Sequence, residues 1–180
     1  RGAQLGGCRV VAAGWVVERS AFKLNLRSGD AVAAVESANR YLSVNRAKND
    51  DRLDMLMMLG EAYAKSGKVK EALQTYMNLY NQNKGYIKYS APACQAMMKL
   101  FWDRNTPASG DRLKGNFKPS DRWNAWNTGQ QYVTLVKRSK LDEKFTPADR
   151  DAFNAVENDL VKKSCLLGVR VIKKMLEKFL

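Results

Sequence analysis

The chain has 180 residues, 45% of them hydrophobic, and a formal charge of +13 from 31 basic and 18 acidic residues. That length can bury a proper core in one compact or elongated domain, and no apolar run reaches the length of a membrane span. With no histidine and three scattered cysteines (Cys8, Cys94, Cys165), zinc binding and imidazole catalysis lack a ligand set.

The excess charge is diffuse: +4 for residues 1–50, +3 for 51–100, +4 for 101–150 and +2 for 151–180. A net charge of this size favours acidic partners, anionic membranes or nucleic acid, and its spread points less strongly to nucleic acid than a clustered basic tail would. The cysteines read as buried thiols, and one pair stays open in an oxidising compartment.

Residues 1–8 are glycine-rich and predicted irregular. Leu5-Gly6-Gly7-Cys8 resembles a bacterial lipobox without its preceding apolar segment, so it is read as the lead into a helix. The start at Arg1 suggests a processed chain, of a bacterial envelope or of an organelle, and leaves the compartment unknown. From Arg9 the apolar set Val10, Val11, Trp15, Val17, Ala21, Phe22 and Leu24 recurs at helical intervals and predicts a helix over 9–27. A second helix, over about 30–43, keeps Ala34, Ala38 and Tyr41 on one face.

The stretch Leu56 to Tyr80 places large and small residues at helical spacing on both sides of Gly67, as two closely approaching antiparallel helices require. Leu59, Gly60, Tyr63, Gly67, Ala72 and Tyr76 carry the resemblance: this stretch is similar to one tetratricopeptide (TPR) repeat, with Leu56 and Lys84 where the family has Trp and Pro. Arg27-Ser28-Gly29 with Ala34-Val35 echoes Lys65-Ser66-Gly67 with Ala72-Leu73, the glycines 38 residues apart. That is an internal repeat, degenerate in its first copy, where Ala21 and Phe22 replace Leu-Gly.

Further on, Ser90 is predicted to cap a helix running to about Arg104, with Pro92 in its first turn. Asn105 to Pro119 reads as a long loop. Ser120 caps a helix carrying Trp123, Trp126, Gly129, Tyr132, Val133 and Val136, and Thr146-Pro147-Ala148-Asp149 starts a last helix that can run nearly to Leu180 unless Gly168 breaks it. No stretch alternates with period two, so no sheet is predicted. The expected fold is all-α: antiparallel helical hairpins stacked as a short TPR-like solenoid over 9–104, a loop over 105–119, and capping helices over 120–180.

The resemblance implies a concave wall formed by the first helix of each pair. Outward positions there are Arg19, Lys23 and Arg27, then Met57, Glu61 and Lys65, then Lys88, Gln95 and Lys99, making a basic stripe able to hold an acidic peptide segment. The plainer reading of the same lysines is a solvated face. Arg112, Lys114, Lys118 and Arg122 form the densest local basic cluster, for phosphate or an acidic subunit. Trp123 and Trp126 read as core rather than base-stacking platforms. Asp50, Asp51 and Asp54 read as helix N-terminal acids, not a calcium loop. Cys94 has no base to activate it, and Gly6-Gly7 lacks the context of a phosphate loop.

These readings point to a non-enzymatic protein-interaction adaptor or assembly subunit that needs no cofactor and handles no small-molecule substrate. The alternative is a basic, nucleic-acid-associated subunit of a large ribonucleoprotein or organellar complex. Salt-steep retention on nucleic acid separates the two.

Overall fold

Two glycines with positive φ, Gly29 at 84° and Gly67 at 77°, end the first and third helices of the chain. The computed structural model describes residues 4–46, 49–111 and 113–167, with side chains from residue 16 onward. Its elements in order are α1 (Gln4–Arg27), α2 (Ala31–Val44), α3 (Asp50–Lys65), α4 (Val69–Gln82), α5 (Ile87–Arg104), α6 (Asp121–Arg138), a 3₁₀ turn (Leu141–Lys144) and α7 (Pro147–Leu166). The fold is all-α, with neighbouring helices packed in pairs. Two compact units divide it, residues 1–79 and 80–180, the boundary falling inside α4.

In the first unit, both turns are built alike. The N–H of Asp30 donates to the carbonyl of Asn25, and 38 residues on the N–H of Lys68 donates to the carbonyl of Tyr63, both at 2.9 Å. Ala31 to Gly29 is matched by Val69 to Gly67, Ser28 to Leu24 by Ser66 to Ala62, and Ala34 to Asp30 by Ala72 to Lys68. The serine hydroxyls follow suit, Ser28 donating to Asn25 O at 2.9 Å and Ser66 to Tyr63 O at 3.0 Å. A bond from the residue after the glycine back to the last turn is the Schellman closure, which satisfies carbonyls a helix end would otherwise leave bare. Ala34 and Ala72 are both fully buried, at 0% exposure.

Phe22, Ala34, Val35, Ala38, Tyr41, Met55, Leu59 and Ala62 form the core of this unit. Gly60 lets the Tyr76 ring lie against α3: a Cβ there would sit 2.6 Å from the ring, so the glycine is what brings α3 and α4 together. The Arg52 guanidinium donates to the carbonyls of Leu42 (2.8 Å) and Asn45, closing the C-terminal end of α2 from α3. Arg19 pairs with Asp51 and, at 3.7 Å, with Asp54, tying α1 to α3. Asp50 and Asp51 stand in the first turn of α3, where the helix dipole favours acids.

The second unit packs α5, α6 and α7 around Cys94, Met98, Tyr132, Val136, Phe153 and Leu160. α5 and α6 run antiparallel, as Ser90 beside Tyr132, Cys94 beside Thr128 and Arg104 beside Asp121 show. α7 returns along both. Its start has the full capping box, Thr146 and Asp149 exchanging bonds with each other's backbone, with Pro147 at the first helical position.

Three expectations need correction. α1 begins at Gln4, upstream of the predicted Arg9, because Gly6 and Gly7 weaken a helix without forbidding one. Ser90 is not a cap: α5 starts at Ile87, whose burial with Tyr89 extends the inward face upstream, and buried Ser90 instead meets the Tyr132 hydroxyl at 3.3 Å. Pro92 consequently lies inside the helix. The continuation of the last helix beyond Leu167, and the proposed break at Gly168, lie outside the described residues.

Candidate functional site

Packing of each helix on its neighbours decides which way the first unit's side chains point. Among the described side chains of α1, Phe22 is the fully buried one, so the residues on the opposite side of that stretch face out. Lys23 and Arg27 are exposed as expected. So are Val16 (66%), Val17 (64%) and Leu24 (67%), although the apolar period placed Val17 and Leu24 inward with Phe22. One face of α1 therefore combines three aliphatic side chains with two cations.

On α3, Met57 is half-buried and Glu61 and Lys65 are exposed. Lys65 Nζ lies 2.8 Å from Glu61, one turn earlier on the same helix. A surface pair of this kind holds by only about 0.3–0.5 kcal/mol, so an incoming carboxylate can displace Glu61. Between α3 and α4 an open cleft of about 420 Å³ is lined by Tyr63, Lys70, Glu71, Gln74 and Thr75. The sequence reading missed it, having treated Tyr63 only as packing beside Gly60.

Lys88, Gln95 and Lys99 belong to the second unit. Lys88 is exposed, with its ammonium 5.1 Å from the Tyr89 ring centre. Gln95 and Lys99 face α7: with Pro92 and Ala96 they line a cleft of about 380 Å³ whose other wall is Asp159 and Lys163. Each cation there already has a carboxylate, Lys99 on Asp103 and Lys163 on Asp159, both at 2.5 Å. The nine predicted outward positions are thus six on the first unit and three on the second, and Arg19 among the six is turned to Asp51 and Asp54 rather than held free for a partner.

The loop after α5 is ordered. Arg104 donates to both carboxylate oxygens of Asp121, at 2.6 and 2.5 Å, and the Thr106 N–H adds a third bond at 2.9 Å. Ser109 and Lys118 exchange two backbone bonds across the loop, and Gly110 (φ 84°) leaves no room for a Cβ beside the Asn116 carbonyl, 2.3 Å away. Lys114, Lys118 and Arg122 are exposed, and Arg112 lies outside the described residues. Arg122 sits over the Trp102 ring at 5.2 Å. Trp126 packs against the core and its buried indole N–H has no acceptor among the described residues, whereas Trp123 is 43% exposed.

The shifted acid–base groups all keep their resting form at neutral pH. Arg104, by hydrogen bond and charge, holds the Asp121 carboxyl well below the usual carboxylate range and is itself pushed up. Burial pushes Tyr76, Tyr80 and Tyr132 up to about 12. Burial, followed by the charge of Asp159, also raises the Cys94 thiol. A thiol held protonated in a core is a poor nucleophile.

No protein-family model matches the chain, and no curated protein matches it in sequence. Among the described residues, no helix is long and apolar enough to cross a membrane.

Proposed function

We propose that this chain is a non-enzymatic interaction subunit whose TPR-like first unit holds an acidic, amphipathic segment of another protein along α1 and α3. The observation that carries this reading is the outer face of α1, where Val16, Val17 and Leu24 stand exposed beside Lys23 and Arg27. Aliphatic side chains in water favour a partner that covers them, and cations on the same face favour a partner with carboxylates. Lys65 and Met57 on α3, a helix joined to α1 by Arg19 through Asp51 and Asp54, would extend that surface for the partner segment. A segment laid there would exchange the weak Glu61 pair for its own carboxylate.

The test is affinity capture from a native extract, followed by binding to the captured protein's isolated acidic segment. Lys23→Glu with Arg27→Glu is expected to weaken that binding at least about tenfold by reversing the charge complementarity. Leu24→Glu is expected to act alike, and Lys65→Glu to act more weakly. Binding unchanged by all of these removes the reading.

A further inference from the structure

Three separate segments of the second unit meet at Trp102. The Arg122 guanidinium from the first turn of α6 lies 5.2 Å from its ring centre, and the Lys163 ammonium from near the end of α7 lies 5.3 Å from it. The base of the 105–120 loop is fastened two residues further along α5, by Arg104 to Asp121. Loop, α6 start and α7 end therefore form one end of the unit.

That end exposes apolar side chains. Leu113 at the loop tip is 98% exposed, Leu166 70%, Val161 45% and Trp123 43%. Leu113 is not on a floppy strand: its N–H donates to the Asp111 carboxylate at 2.8 Å, and the Asn116 side chain accepts from the Asp111 N–H at 2.6 Å. The turn therefore holds the Leu113 side chain out in solvent.

The charge of the same end is one-sided. Lys114, Lys118, Arg122 and Lys162 are exposed. The carboxylates nearby are engaged within the protein: Asp121 by Arg104, Asp159 by Lys163, Asp103 by Lys99, and Asp111 by the loop backbone.

We propose that this end of the second unit docks on an anionic lipid surface, its cations at the headgroups and Leu113 and Leu166 reaching the acyl boundary. Cations near such a surface and apolar groups at its interface add their contributions, giving reversible attachment without a membrane span. Lipid fits better than nucleic acid because three of the four exposed apolar side chains, Leu113, Val161 and Leu166, are aliphatic and only Trp123 offers a ring, while the Trp102 ring already carries two cations. This proposal is independent of the partner surface on α1.

The experiment is co-sedimentation of the full chain with vesicles of phosphatidylcholine alone or mixed with phosphatidylglycerol, over a salt series. The chain is expected to sediment with the anionic vesicles, not the neutral ones, and to be released by salt. Lys114→Glu with Lys118→Glu should lower the partition by about thirtyfold, and Leu113→Ser by about tenfold. Lys140→Glu, at the far end of α6, should change it by less than about twofold. Circular dichroism of each variant checks that the helices are intact, as these side chains are exposed. A chain that stays in solution with anionic vesicles, or whose loop variants sediment like the unaltered protein, overturns the proposal. So does salt-sensitive retention on single-stranded nucleic acid, or on an acidic protein, that is lost with the same substitutions while vesicles go unbound.

Discussion

The two hairpins of the first unit solve one packing problem with opposite residues. In the second, Gly60 on α3 is small and Tyr76 on α4 fills the space against it. In the first, 38 residues earlier, the matching positions are Phe22 on α1 and Ala38 on α2, both at 0% exposure in a shared core. The bulky side chain has changed helices while the turn between them has kept every one of its matched hydrogen bonds. What recurs is the turn and the volume at the crossing, not the identity of the residue that supplies it, which explains why the first copy looks degenerate by sequence alone.

Removing the bulky member should hurt both hairpins equally and most. Tyr76→Ala and Phe22→Ala are each expected to cost about 3–4 kcal/mol in urea unfolding, since each empties a buried site. A cost at one position but not the other would break the equivalence.

Next comes a contrast between the repeated turns and the loop of the second unit, whose base is fastened by an ion pair in addition to its glycines. Asp121→Ala strands Arg104 and should cost about 2–3 kcal/mol, the lower part of the range for a buried partner because Arg104 is part-exposed. The Asp121 carboxyl is held below its ordinary value, so its stabilisation is complete above an unfolded-state pKa of about 4 and is lost as pH falls further. Acid titration of the fold should accordingly show a loss below about pH 4 that Asp121→Asn no longer shows.

The turns themselves should respond less and alike. Gly29→Ala and Gly67→Ala each force a side chain into positive φ with open space around it, for an expected cost near 1 kcal/mol apiece. Smallest of all is Gly129→Ala in α6. Its new methyl would come within 2.7 Å of the flexible end of the buried Met98 side chain and 3.2 Å of Leu160 Cδ1, so both must shift, while alanine favours the helix. The two effects oppose each other, and the unfolding free energy should change by less than about 0.5 kcal/mol.

Local chemistry was legible in the sequence. The Ser-Gly echo marked both turns, Ser120 and Thr146-Pro147 marked two helix starts, and glycine, proline and asparagine marked the loop. Long-range pairings were not. Arg104 and Asp121 carry no local signature of their bond across 17 positions, so the loop between them read only as a long loop. Ser90 had the right type for a cap, but Ile87 and Tyr89 were already buried upstream of it. Of the candidate site, exposure of Lys23, Arg27 and Lys65 followed from helical spacing. Period alone could not say that Phe22 would take the core and leave Val17 and Leu24 outside, because that depends on which side α2 packs. Likewise, α7 facing Gln95 and Lys99 depends on the path of the chain after the loop.

The most direct measurement is a double-mutant cycle that gives the second hairpin the arrangement of the first: Gly60→Phe, Tyr76→Ala, and the two together, each followed by urea unfolding. If one unit is built twice, the single changes overpack or empty the crossing while the pair refills it, and the pair should recover at least about 1.5 kcal/mol relative to the summed single costs. Costs that simply add would mean that the two crossings do not correspond, and the repeat on which the partner surface rests would be contradicted.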